Sequence, residues 1–222
     1  MIQVTVGTGP RAKTFSIHKD ILTYHCEYFQ SALKDCWETG FDNTIHLPDE
    51  DAYIFSLFNY WVYTKRLYHK EHCTYDKSAV IEKVPLSFRH LVDTYIFADK
   101  RGIPKLANAA LDTLSAKMCC PWYMPYQELE HIYDNTPQGS ALRRYLVDFA
   151  LATDNFDDID EAADIYPKEF LVEVISAASK GNINIVGDKK PWEAYITEAK
   201  KLFCEKYHDH SATTREEAKV FT

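Results

Sequence analysis

The apolar residues of this chain change their spacing twice near the start, and those changes restrict the fold more than any single motif does. Over residues 2–6 the pattern alternates: Ile2, Val4 and Val6 share one face, Gln3 and Thr5 the other. Gly7-Thr8-Gly9-Pro10 breaks the run, after which Phe15 and Ile17 alternate with Thr14 and Ser16. Two period-two runs around a Gly/Pro turn predict a β-hairpin. The spacing then becomes helical, with Ile21, Leu22, Phe29 and Leu33 as the apolar stripe. His25 and Cys26 interrupt it, so one helix or two short ones satisfy the pattern. Strand spacing returns once, in Ile45-His46-Leu47, and Pro48 ends it.

Downstream of Pro48 the periodic segments are helical, with one long stretch between them that has no period. Asp51 can cap a helix whose wide apolar face is Ile54, Leu57, Phe58, Trp61 and Val62. Residues 65–85 are polar, without a clear period, and predict a long loop. From Ser87 the helical spacing resumes through Phe88, Leu91, Val92, Tyr95 and Ile96. Gly102 suits the left-handed position that ends a helix, and Pro104 the first turn of the next. That next helix carries Leu106, Ala110, Leu114 and Met118. Pro121 and Pro125 mark a boundary. Four helical patterns follow: Leu129 to Tyr133, Leu142 to Phe149 capped by Ser140, Phe170 to Ile175 opened by Pro167, and Trp192 to Phe203 opened by Pro191. Residues 208–222 are polar and predict a frayed end. The expected fold class is α+β: a small β-sheet capped by helices over residues 1–118, then an all-helical C-terminal extension over 119–222.

Composition narrows the function classes. With 46% hydrophobic and 14% aromatic residues in 222, a sizeable core is expected. Seven glycines are too few for turn-rich propellers or glycine-rich phosphate loops. The formal charge of −8 gives no general attraction to nucleic-acid backbones or anionic lipid. The basic pairs Lys100-Arg101 and Arg143-Arg144 fit solvated helix ends or faces. No stretch approaches the ~20 apolar residues of a membrane span, and the N-terminus lacks a signal-peptide run. Six cysteines without a CxxC suit reduced thiols. An intracellular protein, nuclear or cytoplasmic, is the expectation, with protein partners and neither nucleic acid nor membrane bound directly.

Spacing decides which reactive side chains could act together. His18, His25 and Cys26 lie close in sequence, with Cys36 nearest beyond them, but structural zinc usually draws four ligands from two close pairs. Packing and hydrogen bonding explain them better. His69-x-x-His72-Cys73 has tolerable metal spacing in a charged loop, and His208-Asp209-His210 is a weaker candidate. The adjacent Cys119 and Cys120 read as free thiols. The acidic run from Asp154 to Asp164 fails the calcium-loop pattern and reads as a solvated connector. GxSxG, P-loop, GxGxxG and HExxH patterns do not occur. No catalytic residue, metal or cofactor is therefore expected. Tyr53, Phe58, Tyr60, Trp61 and Tyr63 lie on opposite sides of one helix, so one core face cannot bury them all. The extension, another chain or a partner should meet the remainder.

One resemblance runs through these motifs. Phe15-x-x-His18-Lys19-x-x-Leu22 with Tyr28-Phe29, then Phe55-x-x-Phe58-x-Tyr60-Trp61-x-Tyr63-Thr64, then Tyr95-Ile96-Phe97-Ala98-Asp99-Lys100 with Ile103-Pro104-x-Leu106, resembles the BTB/POZ domain. Ile132-Tyr133-Asp134-Asn135-Thr136 and Leu142-Arg143-Arg144 are similar to the helical tail of short fungal BTB proteins. The resemblance implies a non-catalytic protein–protein interaction module that forms homodimers, or docks on a cullin scaffold as a ubiquitin-ligase substrate adaptor. A transcriptional co-regulator subunit is the alternative within the family, and a metal or thiol enzyme the alternative outside it. The partner-binding candidates it implies are Trp37, Glu38, Phe41 and Asp42. Here the sequence departs from the family: cullin-binding members often carry an apolar-x-Glu triplet, which neither Trp37-Glu38-Thr39 nor Phe41-Asp42-Asn43 completes. Lys65 stands where the family usually has Gly, and Cys26 where Ser commonly caps the second helix.

Overall fold

The computed structural model describes residues 1–38, 44–68, 84–119, 123–154, 156, 159–160, 163–181, 183, 185 and 201–211, with side chains at all of these but 34–38. The hairpin forms as its pattern predicts. Strand β1 (Ile2–Val6) pairs antiparallel with β2 (Lys13–Ile17), matching Ile2 to Ile17 and Val4 to Phe15. Ile2, Val4 and Val6 all turn inward and are buried. Strand β3 (Thr44–Leu47) lies on the other side of β1, parallel to it, giving the order β2-β1-β3. A parallel neighbour needs a crossover. Helices α1 (Lys19–His25) and α2 (Glu27–Glu38) lie on that connection. Two helices form because Cys26 takes an extended conformation, φ −148° and ψ 113°, which interrupts the helical turn.

Helix α3 (Ala52–Thr64) begins where Asp51 accepts hydrogen bonds from the backbone N–H of Tyr53 (2.7 Å) and Ile54 (3.1 Å). Its predicted face, Ile54, Leu57, Phe58, Trp61 and Val62, is buried. Helix α4 (Phe88–Lys100) is capped by Ser87, which accepts from His90 N–H. Gly102, at φ +59°, closes it and turns the chain into α5 (Pro104–Cys119), as the Gly-x-Pro spacing predicts. Phe29, Phe55, Phe58 and Phe97 from α2, α3 and α4 form one aromatic cluster, with ring centroids 5.4–6.4 Å apart. Each such pair adds about 0.5–1.5 kcal/mol beyond its buried area. The cluster locks the sheet's helices together.

Helices α6 (Leu129–Asn135), α7 (Ala141–Thr153) and α8 (Lys168–Gly181) follow, and residues 201–207 are helical. The hydrophobic core is continuous from Ile2 to Tyr207. Arg89 and Asp93 of α4 meet Glu128 and His131 at the foot of α6, joining the extension to the helices of the sheet.

Three sequence expectations need correction. The two basic pairs are not wholly solvated. The Arg101 side chain is 8% exposed, lies over the rings of Phe97 and Tyr28 and donates to Glu50 at 2.5 Å. Arg143 is buried too. Its Nε donates to Thr136 Oγ1 (2.9 Å), and Nη2 donates to the carbonyls of Tyr133 (2.5 Å) and Thr136. Those carbonyls close α6, so the arginine caps a helix end from the next helix. Asp154 is likewise more than a solvated connector: it accepts from Tyr126 Oη (2.5 Å) and from Phe156 N–H (2.8 Å). In α8, Phe170 and Val174 face the core but Ile175 is exposed, one position off the buried stripe. Among the described residues, no helix is long and apolar enough to cross a membrane.

Candidate partner-binding surface and a cysteine-histidine cluster

The histidine-rich stretch at the start of the helical region is held by packing and hydrogen bonds. Tyr63 Oη accepts from the His18 backbone N–H (3.2 Å) and bonds its ring Nδ1 (3.0 Å), tying the end of β2 to α3. Lys65 Nζ donates to His25 Nε2, and the His25 ring meets Trp61 edge-on at 5.3 Å. Cys26 is 1% exposed and donates to the Arg101 carbonyl. Burial pushes its thiol up from the ordinary value, against the backbone N–H groups of Phe29 and Tyr28, which favour the thiolate. The sulfur therefore stands at the cap of α2, yet it is a protonated core group. Among the described residues, His18, His25 and Cys26 do not converge on one point.

Helix α3 divides its aromatic residues as its two-sided pattern requires. Phe58 and Trp61 enter the core, whereas Tyr53 and Tyr63 remain exposed. Tyr53, Ser56, Leu57 and Tyr60 form one wall of a groove of about 310 Å³. Leu67, Tyr68, Pro85 and Leu86 form the other. On its rim, Tyr53 stacks obliquely on His90 at 4.4 Å. Tyr24 and Tyr28 of the α1–α2 pair are also exposed. The groove can accept an apolar or aromatic side chain between its tyrosine and leucine walls.

The partner-binding candidates drawn from the sequence are only partly placed. Trp37 and Glu38 end α2, with side chains outside the described residues, as is that of Cys36. Phe41 and Asp42 lie outside the described residues altogether, as do His69, His72, Cys73, Cys120 and the stretch from Trp192 to Ala199.

A second grouping lies elsewhere. Cys204, His208 and His210 each offer one ligand atom, all within 4.8 Å of one another. Cys204 Sγ stands 3.3 Å from His210 Nε2. His208 Nε2 donates to Asp112 Oδ1 of α5 at 2.8 Å. Asn108, one turn earlier, accepts from the Asp209 N–H (3.0 Å) and donates to its carbonyl (2.9 Å). As a sequence, His208-Asp209-His210 is a weaker metal candidate than His69-x-x-His72-Cys73. The missing signal is Cys204, four residues before His208 on a helix and hence on the same side.

No protein-family model matches this sequence, and no curated protein is similar enough to count as a relative.

Proposed function

We propose that this chain is a non-catalytic protein–protein interaction module of the BTB/POZ type with a helical extension, acting as a dimerisation or adaptor scaffold. The observation that carries the reading is the groove on the outer side of α3, framed by Tyr53, Leu57, Tyr60 and Leu67 beside the helices that cap a small sheet. The order of elements supports it as well. A hairpin, a helix pair, a strand returning beside β1 and a further run of helices follow the order of the motifs that resemble the family. Apolar walls edged by tyrosine suit a protein side chain as the anchor of an interface.

Light scattering and pull-down of the full chain test this role. Self-association or capture of a specific protein is expected, weakened at least tenfold by Tyr53→Asp on the groove rim. A strict monomer without a protein partner overturns it. The ubiquitin-adaptor version makes its own demand: a purified cullin scaffold should bind with micromolar or better affinity, and Trp37→Ala or Phe41→Ala should weaken it. Absence of that binding removes the cullin version and leaves the module.

A further inference from the structure

The geometry points to a zinc-class metal site formed by Cys204, His208 and His210, held against α5 by Asp112 and Asn108. A backbone bond from His208 N–H to the Cys204 carbonyl (3.1 Å) closes the last turn of the helix of residues 201–207, which places the two side chains on one side. His210 then returns to the same place after one intervening residue. Thiolate and imidazole are the donors that borderline-soft divalent ions prefer. The spacing fits as well. In a tetrahedral zinc site, Zn–S near 2.3 Å and Zn–N near 2.05 Å place sulfur and nitrogen about 3.5 Å apart, against 3.3 Å between Cys204 Sγ and His210 Nε2.

The surroundings support an ion more than a chance meeting of side chains. Asp112 holds His208 through Nε2–H, which leaves Nδ1 as its metal-binding nitrogen. A carboxylate behind a ligating histidine fixes the ring and strengthens its donor nitrogen. Asn108 pins both backbone groups of Asp209, the residue between the two histidines. Asp209 itself turns its carboxylate to the Ser211 N–H at 2.8 Å. Cys204 and His210 are exposed, so the ion can enter from solvent. Three protein ligands leave a fourth position for water or a donor from a partner.

Binding is a simple exchange. The Cys204 thiol loses its proton to the buffer, its sulfur bonds the divalent ion, and neutral His208 and His210 donate nitrogen lone pairs. One proton is released per ion from the thiol. The bound ion joins Cys204, His208 and His210 within a segment that Asn108 and Asp112 already hold against α5. This inference is independent of the interaction role proposed above.

Cobalt(II) titration of the full chain tests it. One equivalent should produce a thiolate charge-transfer band and intense visible bands of a tetrahedral site, and zinc(II) should displace both. Cys204→Ser and His210→Ala should abolish the charge-transfer band while leaving the circular dichroism unchanged. Asp112→Asn should weaken binding about tenfold. Zinc should slow alkylation of Cys204 by iodoacetamide at least tenfold in the unmodified chain. A triple variant His69→Ala, His72→Ala, Cys73→Ser should bind as the parent does. The proposal is overturned by failure to bind one equivalent, by a band that survives Cys204→Ser, or by a band lost only in the triple variant.

Discussion

Replacing Arg143 with methionine tests the idea that a charged residue of α7 caps α6. The substitution keeps most of the apolar stem and removes the guanidinium. Three acceptors lose their donor: Thr136 Oγ1 and the carbonyls of Tyr133 and Thr136. Glu173, 3.8 Å from Nη1, loses its cation, and the ring of Tyr133 loses the guanidinium 4.2 Å from its centre. A charge-assisted hydrogen bond is worth about 1.5–3 kcal/mol net. Relief from burying the cation offsets part of that sum, and breaking one side of a buried pair costs about 3–5 kcal/mol. The expected loss is therefore about 3–5 kcal/mol, a large share of the roughly 5–15 kcal/mol available to a domain. It corresponds to a fall of roughly 6–20 °C in Tm for a chain of this size. Urea unfolding followed by circular dichroism measures it, with the slope checked for two-state behaviour. Arg144→Met is the control. Arg144 bonds the carbonyls of Gly139 and Lys206, but from an exposed position, and should cost about 1 kcal/mol or less. A loss below about 1 kcal/mol for Arg143→Met, or an equal loss for the two variants, would refute the argument from burial.

Asp51→Ala removes the acceptor of two N–H groups at the start of α3 and should cost about 1 kcal/mol in the same assay; no change would mean that solvent replaces the cap. Lys65 ends α3 at φ +58°, where a side chain costs roughly 1–2 kcal/mol. Lys65→Gly should therefore stabilise by about 0.5–1 kcal/mol despite the lost bonds to His25 and Val62, and a loss would show that those bonds outweigh the strain. The hydroxyls of Tyr126 and Tyr133 are pushed well above the usual tyrosine value, first by burial and then by hydrogen bonds to Asp154 and Glu173. The folded chain holds these protons more tightly, so their contribution is complete below the unfolded value of about 10. It is lost as pH rises above that value toward the raised folded one. Tyr126→Phe with Tyr133→Phe should flatten the decline in stability above about pH 10; an unchanged slope would assign the decline to other groups.

Much of the architecture follows from period and punctuation alone. Alternation in residues 2–6 and 14–17, with Gly and Pro between them, dictates the hairpin, because successive strand side chains face opposite ways. Asp51, Ser87, Gly102, Pro104 and Ser140 stand where helices begin or end, because their chemistry acts on the nearest few backbone groups. Such effects are local and can be read in one dimension. The break at Cys26 is local too, but two helices and one fit the same stripe until the backbone angles are known.

The tertiary structure decided what depends on residues distant in sequence. Nothing in the pair Arg143-Arg144 says which arginine is buried. That follows from the approach of α7 to the carbonyls of α6, ten residues away for Tyr133. The parallel partner of β1 is likewise set by the path of α1 and α2. The groove on α3 requires Leu67, Tyr68, Pro85 and Leu86 to come back beside it. Cys204, His208 and His210 are a short local pattern, yet Asn108 and Asp112 give it a fixed geometry from about a hundred positions earlier. Spacing by itself specifies which faces exist. Which faces meet is decided by the packing of the whole chain, where buried polar groups must find partners and the apolar faces must cover one another.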